Sequence, residues 1–374
     1  MDYSMLLFYI ADTAVDLWND FNTYTMEEIS KFVAENEDRI DTDGWRTYMA
    51  VQSSILTKKI QRKLKETLLL NDAAIRAAFE QIIGFTREIE GYELTQTERL
   101  QKRIELIYKQ TTGELHNLTK SMAKEATGIF TQACDTAVLL SQTGLKSRSE
   151  AIVEAIEKAS VTGLYVTYPS GHIDKTEVAV RRAVQTGCAQ ISGAVTVELC
   201  EQNEINHVVV SSHLGARVSD DPIADHSGWQ GKIYKIRPDD TDYELLEEAT
   251  GYNAIEPENS DPLGLYGYNC RHSMTPVPDP DNFKNNQPQW DSAENRRVYE
   301  ASQRQRAMER RMRDTKREIA AVEGVMDSAT TKETREKAEQ ELKKLRRKFE
   351  GQQAKYAAFC RAEGLPEQRD RLAI

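Results

Sequence analysis

The sequence predicts an α+β protein with a mainly α-helical N-terminal region, a small α+β central domain and a C-terminal antiparallel helical hairpin. Three observations predict it. Helix-capping patterns and helical-period apolar spacing fill residues 1–160, short β-branched runs closed by Pro and Gly fall within 161–285, and heptad spacing occupies 286–374.

In the N-terminal region, Thr25 with Glu28, Thr95 with Glu98, Thr111 with Glu114 and Ser147 with Glu150 each set a hydroxyl three residues before a glutamate. At a helix start this spacing satisfies two free backbone N–H groups reciprocally. Leu115, Leu118, Met122, Ile129 and Phe130 share a helical face, and Gly144 is placed to end that helix in a left-handed conformation. Five or six helices follow, forming a region suited to docking.

The pattern changes at Gly163. LYVTYP, closed by Pro169 and Gly171, reads as a strand and a turn, and Asp174 with Glu177 opens a helix to about Cys200. Val178, Ala183, Val184, Ile191 and Val195 are its expected buried positions. HVVVSS from His207 and KIYKI from Lys232 are further strands, and Asp279, Pro280 and Asp281 with FKNNQPQ read as a linker.

In the last segment Val298, Ala301, Gln305, Met308, Met312, Thr315, Ile319 and Val322 alternate spacings of three and four. So do Ala338, Leu342, Leu345, Phe349, Gln352, Tyr356 and Phe359. EGVMDSATTKE between them, with Gly324 and a Thr330 to Glu333 capping box, predicts the turn of a hairpin.

A charged fraction of 29% and mean hydropathy of -0.62 fit long helices with solvated faces. The net charge of -11 argues against wholesale wrapping of nucleic acid, but it is uneven: from Asp291 onward there are 21 Lys and Arg against 16 Asp and Glu. Five cysteines, with no Cys-x-x-Cys pair, fit free thiols in a reducing compartment. The N-terminus lacks the pattern of a signal peptide, and no apolar run approaches the roughly 20 residues that span a bilayer, so no membrane contact is expected.

Chemically capable residues concentrate between Val208 and Ser273. His213, His226, Cys270 and His272 form an acceptable nitrogen and sulfur ligand set for zinc, but only Cys270 and His272 are closely spaced. The favoured reading is histidines hydrogen-bonded inside the domain or lining a contact surface, with no cofactor, and zinc is the alternative. Cys270 or Ser212 with His213 or His226 would be the nucleophile and base of an enzyme, although no nucleophile-elbow pattern is present. Arg217 and Arg271 suit phosphate or carboxylate, or pairing with Asp220, Asp221 and Asp225. Trp229 reads as a core aromatic with its N–H satisfied locally. Arg310, Arg311, Arg313, Lys343, Lys344, Arg346 and Arg347 are the candidate DNA contacts, against the reading of a solvated, ion-paired helix face.

The order SSHLGAR, HSGWQGKIY, GLYGYNCRHSMTP and then a long charged helix resembles the minor capsid protein 2 family of tailed phages. That family is similar in architecture to head-morphogenesis proteins of the phage Mu F type. YPSGHIDKTEVAVRRAVQTGCAQ resembles the family's preceding segment, with Arg181 and Arg182 as its paired arginines. The likeness covers roughly 145 to 320 and falls on Ser212, His213, Ala216, Arg217, His226, Trp229, Gln230, Gly231, Asn269, Cys270, Arg271 and His272 as structural positions. Two departures stand out: VSDDPIAD is longer than the usual interval, and Tyr266 and Tyr268 replace a frequent cysteine and tryptophan. The resemblance implies a virion structural protein, multi-copy within the particle, made in the host cytoplasm and placed inside the capsid near the portal. It would assist assembly, DNA packaging or ejection, with the portal protein, other capsid proteins and packaged DNA as partners. The rival readings are a metal-dependent hydrolase or transferase and a DNA-binding module acting through the basic hairpin.

Overall fold

The computed structural model describes residues 3–40, 44–90, 94–119, 122–143, 146–162, 164–168 and 171–372. Gly144, Gly163 and Pro169, where the sequence predicts a helix end, a change of pattern and a turn, lie outside the described residues, and so does the side chain of Leu118. The fold is mostly helical, with small antiparallel sheets and a C-terminal helical pair, as the sequence predicts.

The first six helices are α1 (Tyr3–Ile10), α2 (Asp12–Glu35), α3 (Trp45–Glu90), α4 (Glu98–Thr119), α5 (Met122–Gln142) and α6 (Arg148–Thr162). The capping box of Ser147 and Glu150 forms: Ser147 N–H donates to Glu150 Oε2 at 3.1 Å, and Glu150 N–H to Ser147 Oγ at 3.3 Å. Helix α4 is capped two residues later than predicted, by Thr97, whose Oγ1 accepts from Leu100 N–H at 3.1 Å. Thr25 and Thr111 lie inside helices rather than at their starts, and the Thr25 hydroxyl donates to Phe21 O one turn back, at 2.9 Å. A capping pattern is local, and in α2 the buried stripe of Trp18, Phe21, Ile29 and Val33 carries the helix through it.

The chain forms two compact units, each discontinuous in sequence. The first comprises Met1–Ala14, Asn71–Leu115 and Val180–Gln303; the second comprises Val15–Leu70, His116–Ala179 and Arg304–Ile374.

In the first unit the spine is α7 (Thr176–Gln202), in which every residue from Ile191 to Cys200 is buried. Ala183, Val184, Ile191 and Val195 are buried as predicted, whereas Val178 is half-buried. A Cβ at Gly187 would stand 2.4 Å from Thr111 Oγ1 and 2.9 Å from the Phe79 ring, so only glycine lets α3 and α4 come this close. A three-stranded sheet completes the unit: β3 (His207–Val210) lies between β4 (Ile233–Lys235) and β5 (Met274–Val277), antiparallel to both. Two short helices, α8 (His226–Trp229) and α9 (Leu246–Thr250), sit in the connections. The sequence did not predict β5, because Pro276 argues against a strand; it is tolerated on this edge, opposite Val208.

In the second unit the predicted strand LYVTYP becomes β1 (Tyr165–Thr167), which pairs with β2 (Ile173–Lys175) in a sheet of its own and does not join β3. Phe32 stacks on Tyr48 and meets Phe130 edge-on at 4.9 Å, forming an aromatic core. The hairpin is α10 (Ser292–Ser328) and α11 (Lys332–Glu363). Its turn is shorter than predicted, and Gly324 lies within α10, where a Cβ would come 3.2 Å from Ser30 Cβ on α2. The cap of α11 is Thr331, which accepts from Thr334 N–H at 3.2 Å, while the Thr330 hydroxyl donates to Glu37 at 2.6 Å. Along the seam Met312, Leu342, Leu345 and Tyr356 are buried, and Gln305 is fixed by Nε2 donation to Pro366 O at 2.7 Å.

Candidate functional site

The motif residues lie in loops, and amide side chains tie those loops down. After β3, Ser212 N–H donates to Gln287 Oε1 at 2.9 Å and His213 N–H to Gln230 Oε1 at 2.9 Å. The N–H groups of Gly215 and Ala216 both donate to Asn295 Oδ1, at 2.8 and 3.0 Å, and Asn295 Nδ2 returns a bond to Ala216 O at 3.1 Å. Gly231 takes φ +73°, which a side chain would strain, and its carbonyl accepts from Asn285 Nδ2 at 2.8 Å. Asn285 and Gln287 belong to the stretch predicted as a linker, so that stretch holds the motif's backbone. Nothing in its apolar periodicity could have shown this, and Asn295 is likewise visible only in three dimensions.

Arg217 does not pair with the acidic run. It donates to Leu263 O at 3.1 Å and to Tyr268 O, pinning the loop before Cys270. Asp225 instead caps α8, accepting from Ser227 N–H at 3.3 Å and from the Ser227 hydroxyl at 2.6 Å. Asn269 sits at φ +59° in the same loop, and the motif arginines lie on α7: Arg181 pairs with Asp12 at 2.7 Å, and Arg182 lies over the Tyr268 ring.

His226, Cys270 and His272 are brought together and buried, with one ligand-capable atom from each within 4.8 Å of the others. Cys270 Sγ lies 3.7 Å from His272 Nδ1. The Trp229 ring covers the group, 4.5 Å from the His226 ring and 4.8 Å from that of His272, and its Nε1 donates to Ile223 O at 3.0 Å. His213 stacks on His272 at 4.3 Å but lies outside the triplet. Burial pushes the His226 ring down to about 4. His272 falls well below its ordinary value, first through burial and then through the neighbouring His213 and His226. Burial raises the Cys270 thiol. Near neutral pH both rings are therefore uncharged and the sulfur keeps its proton, which makes it a poor nucleophile.

A cavity of about 240 Å³ lies among α4, α7 and the 252–268 loop, lined by Arg103, Glu114, Tyr252 and Tyr268 among others. Neither the triplet nor His213 lines it. Along the hairpin Lys343 pairs with Glu339, Lys344 with Glu341 and Arg346 with Glu323, at 2.7 to 2.8 Å. Arg313 donates to Arg371 O at 2.7 Å, and Arg310, Arg311 and Arg347 are exposed.

The model of a family described as phage minor capsid protein 2 matches residues 6–349, nearly the whole chain. The chain belongs to that family. No curated protein and no solved structure matches it. As a phage minor capsid protein it is a structural constituent of the virion, and its contacts are with capsid components. The match extends beyond the motif-bearing stretch of 145 to 320.

Proposed function

We propose that this minor capsid protein sits inside the capsid at the portal vertex, contacts the portal protein, and assists head assembly, DNA packaging or ejection. One observation carries the reading. The family motif is spent on holding a fold: Arg217, His226, Trp229 and Gln230 all direct their polar atoms at backbone or at one another. A site that turns over a substrate needs polar groups facing an opening. Helix α3 supports a docking role, since Val51 and Leu69 are 58% and 74% exposed. A spacing of eighteen residues, about five turns, puts them on one face, with Ile55 beside Val51. Exposed apolar side chains repeated along one helix face suit a protein partner. Packaged DNA is the weaker partner, because glutamates already neutralise Lys343, Lys344 and Arg346.

Co-expression with the portal protein of the same phage, followed by pull-down and sizing, tests the proposal. A stable complex is expected, weakened by V51N/I55N/L69N. Absence of any association with portal or procapsid removes the portal assignment.

A further inference from the structure

We propose that His226, Cys270 and His272 form a zinc site that clamps the start of α8 to the segment entering β5, a role additional to docking in the capsid. The hydrogen bonds to the two rings assign their free nitrogens. His213 N–H donates to Gln230 Oε1, so that atom is an acceptor, and His272 Nε2, 3.1 Å from it, carries the proton. His226 Nε2 lies 2.8 Å from Leu263 O, a carbonyl that can only accept, so it too is protonated. Each ring is left with a lone pair on Nδ1, and His272 Nδ1 faces Cys270 Sγ at 3.7 Å. Zinc-binding histidines are characteristically held in this way, with the non-ligating N–H donated to a carbonyl or amide oxygen that fixes both tautomer and ring orientation.

The donor set fits in its chemistry and its spacing. Two imidazoles and a thiolate are ligands of borderline-soft zinc, and ligand atoms about 2.0 to 2.3 Å from the metal stand roughly 3.3 to 3.8 Å apart in a tetrahedron. The triplet, within 4.8 Å, needs only a small contraction. Cys270 and His272 flank Arg271 just before β5, with Sγ 3.7 Å from Nδ1, while His226 arrives from α8. Binding replaces the Cys270 proton by the metal, and the released proton goes to solvent. His213 is outside the triplet, so the protein supplies three ligands.

The test uses the full chain, purified without a histidine tag or chelator. Elemental analysis should find roughly one zinc per chain. X-ray absorption on the zinc-loaded protein should show a single sulfur at about 2.3 Å with nitrogen or oxygen completing the shell. Cobalt(II) substitution should give a thiolate-to-cobalt charge-transfer band that C270S abolishes. A metal-free chain that takes up neither zinc nor cobalt overturns the site. So does a zinc shell without sulfur, a measurement on the unaltered chain that does not depend on how the variant folds, or a band that survives C270S in folded protein.

Discussion

The loops around β3 and the hairpin of α10 and α11 are both rich in polar side chains, and they use them differently. Around β3 the partners are mostly backbone groups: Asn295 serves Gly215 and Ala216, Trp229 serves Ile223, and Arg217 serves Leu263. Along the hairpin they are mostly other side chains, often exposed on both sides, as with Lys343 and Glu339. A buried backbone group deprived of its partner keeps its full desolvation cost, while an exposed ion pair returns to water almost freely. Equal numbers of polar contacts therefore do not mean equal stakes.

Substitutions can break that contrast. W229A should have the largest effect, costing about 3–5 kcal/mol through lost burial and an orphaned Ile223 carbonyl, read as a lower urea midpoint. A loss below about 1 kcal/mol would show that the loops do not depend on this ring. N295A should cost about 2 kcal/mol and speed hydrogen exchange at Gly215 and Ala216, whose N–H groups it strands.

Acid sharpens the comparison at Glu198, a buried carboxylate of α7. Burial alone would raise its carboxyl, but bonds from Gln202, Arg99 and Thr97 outweigh this and hold it below its ordinary 4.5. Its contribution is present above that value and is lost as pH falls through the depressed folded-state value, because the unfolded chain takes up the proton first. The slope of stability against pH below 4.5 should therefore be shallower in E198Q than in the unaltered protein. The smallest effects belong to K343A and K344A, each within about 0.5 kcal/mol by thermal melting. A loss of several kcal/mol at either would mean that the hairpin's surface pairs act as a cooperative network.

The hairpin was legible because heptad spacing repeats over many turns, and β3 because HVVV is a continuous β-branched run. Strand β5 was hidden by Pro276, whose tolerance depends on the strand lying at an edge. The residues of the cluster could be singled out by type, but their convergence could not. It depends on Gln230 and Leu263 O orienting two rings, and on Asn285, Gln287 and Asn295 anchoring loops from segments with no telling pattern. The four capping boxes of the helical region show the same limit: only Ser147 with Glu150 formed as predicted, the cap of α4 moved from Thr95 to Thr97, and Thr25 and Thr111 lie inside helices.

The discontinuity of the two units bears on how the polypeptide matures. The first draws on Met1–Ala14 and on residues as late as Gln303, and the second on everything from Arg304 onward. During synthesis neither can close until most of the chain has left the ribosome, so the early amphipathic helices wait with their apolar faces uncovered. Truncations that look conservative on paper would leave at least one unit incomplete. Expression trials should keep the polypeptide whole and supply chaperones.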